Sequence, residues 1–398
     1  MPRTSQAALL FDHALKFVQP LRTADGHAWA VIPTGPFAHR GDLIASSEFR
    51  EWLAAHFHHE HEIFPSPSAL NHAVRMLAAH AIHTEAPAIE TFTRIGRRGD
   101  SHRPDAILLD LANPTHDVLE ITAEGRRILP NDNCRFLSAA DAHSLPHPVD
   151  SSLSPLEHLR DILHLPDPAL HAAQDWLLAA LRPSGPYPTL VITGPSGSGK
   201  TTLARTLRNI IDPAAALSPI PRTVRQLHAH ALRHYVLVFD HINSLPKEIS
   251  ASVSRLTAGT AIATPARSIV DDPKPIPIAR PVIITAPDLH GSFPANSIHI
   301  RLDAIAPENL RDEASIQQQA AESAPALLGA LCSALSAKLA QAKPAQAACS
   351  ATAAVSHSAP ISPITDRLEN GEIGVSPSPR APASVIVSAS LVAQEGFS

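Results

Sequence analysis

The sequence predicts an α/β core, a parallel sheet covered by helices, with a small α+β module before it and helices and an unstructured tail after it. Three observations predict this. Four apolar, β-branched runs, TLVITG (189–194), HYVLVFD (234–240), RPVIIT (280–285) and SIHIRL (297–302), alternate with helical stretches, the pattern of a helix-covered parallel sheet. Residues 27–122 instead set two helical patterns among short strand runs. From about residue 343 the chain is Ala, Ser and Pro with few large apolar side chains, too little to offset the entropy of ordering.

Taken in order, HAWAVIP (27–33) reads as a strand. Residues 46–62 read as a helix capped by Ser46 or Ser47, with Phe49, Trp52, Leu53 and Phe57 on one face. Residues 66–82 read as a second helix, with Leu70, Val74, Leu77 and Ala78 at helical spacing. DAILLDL (105–111) and HDVLEIT (116–122), joined through Asn113 and Pro114, predict a hairpin. Helices follow at 155–165 and 168–182, then a Pro-rich link. In the core, helices are predicted at 201–211 and at 247–259, the latter ending on Gly259. Residues 307–341 read as helical with a break at Pro325. The organisation is therefore an N-terminal α+β module (1–150), a helical collar and linker (151–185), a core (186–305), C-terminal helices (306–342) and a disordered tail (343–398). No internal repeat is visible.

Composition narrows the classes. The 398 residues are 44% hydrophobic and only 4% aromatic, so the interior is aliphatic. The net charge of −5 excludes a wholly basic nucleic-acid coat. It hides an asymmetry: residues 1–150 carry 13 Lys and Arg against 18 Asp and Glu, whereas residues 186–305 carry 12 against 7. The core is the part suited to a polyanion. Cys134, Cys332 and Cys349 are far apart, which fits a reducing cytoplasm rather than a disulfide framework. The first residues do not read as a signal peptide, and no unbroken apolar run of membrane length is present, so no membrane partner is expected.

The chemistry sits in GPSGSGKT (194–201), which satisfies G-x-x-x-x-G-K-[ST] with a strand before it and a helix after it. Gly194, Gly197 and Gly199 let the backbone wrap with its N–H groups inward, and Pro195, Ser196, Ser198 and Thr202 complete the lining. Lys200 bridges phosphate oxygens and Thr201 offers its hydroxyl to Mg²⁺. The expected ligands are therefore ATP and Mg²⁺. HYVLVFD ends in Asp240, suited to the second Mg²⁺ position. Many motor ATPases place Glu next; here it is His241, and Glu248 lies one turn into the following helix.

At these residues the chain resembles bacterial phage- and plasmid-associated ATP-binding proteins, similar to the ATPase part of primase–helicases, an AAA+/superfamily 3-like P-loop NTPase. The resemblance is carried by LLAALRPSGPYPTLVITGPSGSGKTTLARTLRNIIDP, by HYVLVFDHINSLPKEISASVSRLTAGTAIAT and by RPVIIT. It covers 150–305 well, 40–145 more weakly, and not the tail. It implies nucleotide contacts at Gly194, Gly199, Lys200 and Thr201 and a Mg²⁺ contact at Asp240. Three positions depart from it. His241 follows the Asp where Asn is common. Thr285 ends the strand whose last residue in the family is an Asn that reads the γ-phosphate. Asn296 stands where an arginine finger is usual, with Arg301 nearby; such a finger contributes about 10³–10⁵ in rate. The hairpin that grips DNA in superfamily 3 enzymes falls on 260–279, whose cations are Arg267 and Lys274 beside Asp271 and Asp272.

The resemblance implies ATP hydrolysis, with Lys200, Asp240 and Thr285 as its catalytic residues, driving helicase-like work on DNA in the replication of a mobile element. It also implies a homo-oligomeric ring whose sites lie between subunits. Two alternatives remain: an ATP-binding switch or assembly protein with little turnover, which the residues at 285 and 296 favour, and a small-molecule kinase, against which no arginine-rich lid follows Asp240. The module at 1–150 lacks a D-x-D metal pair, Asp110 being alone on its strand, and reads as a remnant or docking domain. His56, His58, His59 and His61 include pairs three residues apart that share a helix face, with no third ligand evident among 24 histidines. Trp52 and Trp176 sit at core spacing, and Arg97 and Arg98 read as a loop pair open to solvent or phosphate.

Overall fold

The computed structural model describes residues 5–24, 26–32, 40–83, 85–101, 103–130, 135–137, 141–263, 275–288, 293–294, 296–306, 308, 310–342 and 385–389, with the backbone alone at 40, 261–263, 275–277 and 385–389. Arg267, Asp271, Asp272, Lys274, Cys134 and Cys349 lie outside the described residues.

The chain begins with α1 (Gln6–Phe17), β1 (Gln19–Arg22), β2 (Ala28–Ile32), β3 (Arg40–Leu43), α2 (Ser47–His61) and α3 (Pro67–Ile82). The strands form an antiparallel sheet in the order β1-β2-β3. Ser46 caps α2 by accepting from the Phe49 amide at 3.0 Å, and Ser66 caps α3 by accepting from Ala69. Leu10 and Ala14 of α1 pack with Phe49, Trp52, Leu53 and Phe57 of α2 and with Val74 and Leu77 of α3. The stripe predicted for α2 is thus buried, Trp52 included, and in α3 Val74 and Leu77 are buried while Leu70 and Ala78 are partly so. The helix at 6–17 and the edge strands β1 and β3 were not expected.

A second antiparallel sheet follows: β4 (Ile95–Gly99), β5 (Pro104–Asp110), β6 (Asp117–Thr122) and β7 (Gly125–Pro130), in sequence order. The predicted hairpin is β5–β6, and its turn is tied by Asn113 Oδ1, which accepts from the Asp117 amide at 2.8 Å. Arg97 and Arg98 belong to β4, not to a loop, and their guanidiniums pair with Glu90 and with the buried Glu120.

Next come α4 (Pro155–Leu163), opened by a reciprocal Ser154–Glu157 capping box, and α5 (Asp167–Ala180). The core elements are β8 (Thr189–Thr193), α6 (Lys200–Ile211), α7 (Val224–Arg233), β9 (Leu237–Phe239), α8 (Lys247–Ala258), the pair β10 (Ala261–Ala263) and β11 (Pro275–Pro277), β12 (Val282–Ala286) and β13 (Ser297–Leu302). α9 (Glu313–Ala342) and β14 (Val385–Ala389) complete the order. The sheet β14-β13-β8-β12-β9 is parallel throughout, as the alternating pattern predicts. Gly259 terminates α8 in the left-handed region.

One continuous set of buried side chains joins β5 and β6 (Leu109, Leu119), α4 and α5 (Leu159, Trp176), β8 (Leu190, Ile192), α6 (Leu207) and α9 (Leu331, Leu335). The module expected over 1–150 therefore contains two sheets, of which only the first, with α1–α3, has its interior to itself. Arg94, 3% exposed, links the second sheet to the end of α6. Its Nε donates to Asp212 Oδ1 at 2.9 Å and its Nη1 to the carbonyl of Asp110 at 3.1 Å.

Two further expectations are corrected. α9 runs from 313 to 342 without a break, with Pro325 inside it, and the Pro325 carbonyl accepts from the Val149 amide at 2.9 Å. The crossing strand of chain at Val149 approaches so closely that a Cβ on Gly329 would lie 1.8 Å from its carbonyl oxygen. The expected disordered tail lies mostly outside the described residues, but Val385–Ala389 pairs with β13 as an edge strand. α9 is also long and apolar enough to cross a membrane by length and composition, which counting unbroken apolar runs had missed. Here Leu327, Leu328, Leu331 and Leu335 of α9 are buried in the core.

Candidate functional site

The site forms where three parallel strands end together, the place at which ligands meet open α/β sheets. β12 lies between β8 and β9, with Thr285 opposite Ile192 and Ile284 opposite Phe239. Gly194 and Asp240 directly follow β8 and β9, and Thr285 is the penultimate residue of β12.

From β8 the chain turns through 194–199 and enters α6 at Lys200. The turn depends on φ angles of 153° at Gly194, 78° at Gly197 and 82° at Gly199. Gly194 also needs its missing side chain: a Cβ there would lie 2.3 Å from the Leu302 carbonyl oxygen on β13. Pro195, Ser196 and Gly197 form the exposed tip, while Ser198 is fully buried. Gly199 caps α6 with no side-chain hydrogen bond, so the first amides of the helix have no side-chain acceptor. Such a helix start favours an anion.

Lys200 is 6% exposed. Its ammonium donates to the Pro195 carbonyl at 2.6 Å and lies 3.5 Å from Ser198 Oγ, holding it over the loop. Burial pushes its pKa down and the Asp240 carboxylate draws it back up. Thr201 Oγ1 donates to the Asp240 carboxylate, with oxygens at 3.0 and 3.1 Å. Thr202, next along α6, accepts at its carbonyl from the Thr206 hydroxyl at 2.9 Å. A hydroxyl and a carboxylate that converge like this, beside a lysine and a glycine loop, are a hard-oxygen donor set of the kind Mg²⁺ takes.

Thr285 is fully buried and holds Asp240 from the other side. Its hydroxyl donates to Asp240 Oδ1 at 2.5 Å and accepts from the His241 amide at 2.9 Å. The Thr285 carbonyl accepts from the Ile242 amide at 2.8 Å. Both functions of the hydroxyl are therefore occupied within the protein, unlike the phosphate-reading Asn that the resemblance implies at this position. His241 has a left-handed φ of 55° and is 76% exposed on its side chain, with Nε2 3.5 Å from Asp240 Oδ2. Glu248 is exposed in the first turn of α8.

The structure therefore brings Gly194, Lys200, Thr201, Asp240 and Thr285 together. Asn296 is elsewhere: its side-chain amide lies 3.4 Å from the Tyr187 carbonyl. Arg301 is an exposed residue of β13. Sequence reasoning missed that Thr285 positions Asp240. No local signal could have shown it, because the contact depends on β12 lying beside β9, with Ile284 opposite Phe239.

The comparisons can now be set beside this geometry. Residues 168–359 match the family model of the actinomycete integrative conjugative element replication protein. The match takes in the glycine loop, Asp240 and Thr285, and the chain is similar there to a replication protein of a mobile element, as the family resemblance implied. No curated protein matches the chain. Among solved structures, the A form apo structure of the NrS-1 C-terminal region has a TM-score of 0.44 at 11% identity, over 82% of this chain and 69% of that one. A second structure of that region, apo NrS-1 305–718, gives 0.41 at 10% identity, over 85% and 74%. The SCCmec type IV Cch active helicase gives 0.38 at 13% identity, over 78% and 58%.

Proposed function

We propose that this chain is a mobile-element replication protein that binds ATP with Mg²⁺ at 194–202 and hydrolyses it to drive helicase-like work on DNA. The observation that carries the reading is the convergence of Lys200, Thr201 and Asp240 at the ends of β8 and β9. Loop amides and the α6 N-terminus receive phosphate oxygens. Lys200, already short of solvent, gains a counter-charge when phosphate arrives, and the Pro195 carbonyl gives up its ammonium. Thr201 and Asp240 would hold Mg²⁺, which supplies charge neutralisation on the phosphate oxygens. Thr285 keeps Asp240 aimed. The net positive charge of residues 186–305 supports a DNA partner, and the resemblance supports an AAA+/superfamily 3-like ring in the cytoplasm whose neighbouring subunit supplies an arginine.

A second reading, an ATP-bound switch with little turnover, is favoured by two observations: no carboxylate follows Asp240, and the Thr285 hydroxyl is already committed.

The test is steady-state ATP hydrolysis with and without single- and double-stranded DNA, beside equilibrium binding of a fluorescent ATP analogue, in the wild type and Lys200→Ala. DNA-stimulated turnover that disappears in Lys200→Ala supports the motor. Mg²⁺-dependent binding without turnover selects the switch. A wild type that fails to bind ATP sinks both.

A further inference from the structure

Far along the chain from the glycine loop, the N-terminal bundle gathers histidines from two helices. We infer that His13, Glu60 and His61 form a binding site for a zinc-class divalent cation. His13 projects from α1, and Glu60 and His61 from the last turn of α2. One donor atom from each lies within 4.8 Å of the other two. His61 Nε2 is 3.3 Å from His13 Nδ1, and Glu60 Oε2 is 3.8 Å from the same nitrogen.

The spacing fits two ligands of a shared ion and is long for a hydrogen bond between rings. Two nitrogens each about 2.0–2.1 Å from a tetrahedral centre are about 3.3–3.4 Å apart. A good hydrogen bond from a ring N–H is about 2.7–3.2 Å. The other face of His13 provides the hydrogen bond that a ligand histidine needs: Nε2 lies 3.0 Å from His56 Nδ1. With the proton on Nε2, the lone pair of Nδ1 is directed to Glu60 and His61. The His13 ring is itself held, 2% exposed and edge-on to Phe57 with ring centres 5.3 Å apart.

Two imidazoles and one carboxylate suit zinc, cobalt, nickel or iron rather than Mg²⁺ or Ca²⁺. Three protein ligands leave a fourth position, and because Glu60 and His61 are exposed it faces solvent. The cation would tie the end of α2 to α1, which share a core with α3 but not with the glycine loop. The inference therefore stands apart from the proposed ATPase.

The probe is Co²⁺ titrated into the metal-stripped full-length chain, read by its d–d absorption, with Zn²⁺ as competitor. The expected result is one saturable equivalent with an intense four-coordinate spectrum, displaced by Zn²⁺. Glu60→Gln and His61→Ala, exposed positions at which folding is checked by circular dichroism, should weaken it more than 100-fold. His56→Ala, which removes the supporting hydrogen bond together with ring contacts to Phe17 and Trp52, should weaken it about 10–100-fold, with folding again checked by circular dichroism. His59→Ala on the same helix serves as the control and should leave the spectrum unchanged. Binding that is weak, non-stoichiometric or unaltered in both His61→Ala and Glu60→Gln would overturn the assignment and leave a hydrogen-bonded chain of imidazoles.

Discussion

Thr285 and Asp240 are joined by a hydrogen bond of 2.5 Å between hydroxyl and carboxylate, and the same hydroxyl accepts from the amide of His241. Asp240 is thereby gripped between β12 and the Thr201 hydroxyl of α6. Thr285→Val keeps the shape and removes both bonds, leaving the part-buried His241 amide without its acceptor. Such a loss costs about 1–3 kcal/mol. The Mg²⁺ concentration needed for half-maximal nucleotide binding should rise several-fold in Thr285→Val and return to the wild-type value in Thr285→Ser. An Mg²⁺ titration of fluorescent ATP binding reads this directly; an unchanged midpoint in Thr285→Val would remove the positioning role.

Gly194 and Gly197 share a positive φ but not a neighbourhood. A Cβ at 194 meets the Leu302 carbonyl at 2.3 Å, while a Cβ at 197 meets nothing within 4 Å. Gly197→Ala should therefore cost only the left-handed backbone strain, about 1–2 kcal/mol. Gly194→Ala adds an overlap that must push β13 away, about 1–3 kcal/mol more, and should abolish nucleotide binding. Urea unfolding and ATP binding of the two variants side by side check the order.

Asp212 is buried at the end of α6 and serves three donors: Arg94 Nε and, through Oδ2, the amides of Tyr235 and Val236 at 3.0 Å each. Asp212→Ala strands a guanidinium that is 3% exposed. The expected loss is about 3–5 kcal/mol in urea unfolding. Arg94→Met combined with Asp212→Ala should lose less than the sum of the two single variants, since the stranded charge is gone.

Four histidines away from the N-terminal cluster, His164, His230, His234 and His299, are pushed below the ordinary value of 6.5, in each case first by burial. A depressed histidine stays neutral in the folded chain while the unfolded chain takes up its proton near pH 6.5. The unfolded state thus binds more protons below that pH, and stability falls as pH drops through 6.5 toward the folded values. The urea midpoint should decline from pH 7.5 to 5.5, and His299→Leu should flatten that decline. A midpoint that rises over this interval contradicts the assignment.

The glycine loop was legible because its whole signal is eight contiguous residues between a strand and a helix, and Asp240 because it ends an apolar run. Helices α2, α3 and α5 were legible from their stripes, since burial of one face repeats at the helical period. Short edge strands left weaker marks. β1, β3 and β7 are four to six residues long and only partly apolar, and β4 carries Arg97 and Arg98 because those side chains pair with Glu90 and Glu120 rather than enter the core. Helix α7 was missed because its buried side is only Leu227 and Ala231.

Local sequence thus determined the loop, the strand-and-helix alternation and the chemistry of Lys200, Thr201 and Asp240, since each rests on neighbours within a few residues. Tertiary structure alone decided what depends on distant partners. It set Thr285 beside Asp240 by inserting β12 between β8 and β9, 45 residues on in the chain. It kept α9 continuous through Pro325 by giving that carbonyl the Val149 amide. It also carried His13 to His61 across 48 residues, a meeting that spacing within one helix could never reveal. The physical reason is the same in each case: strand order and helix packing are settled by burying apolar faces together, and only that packing decides which polar side chains meet.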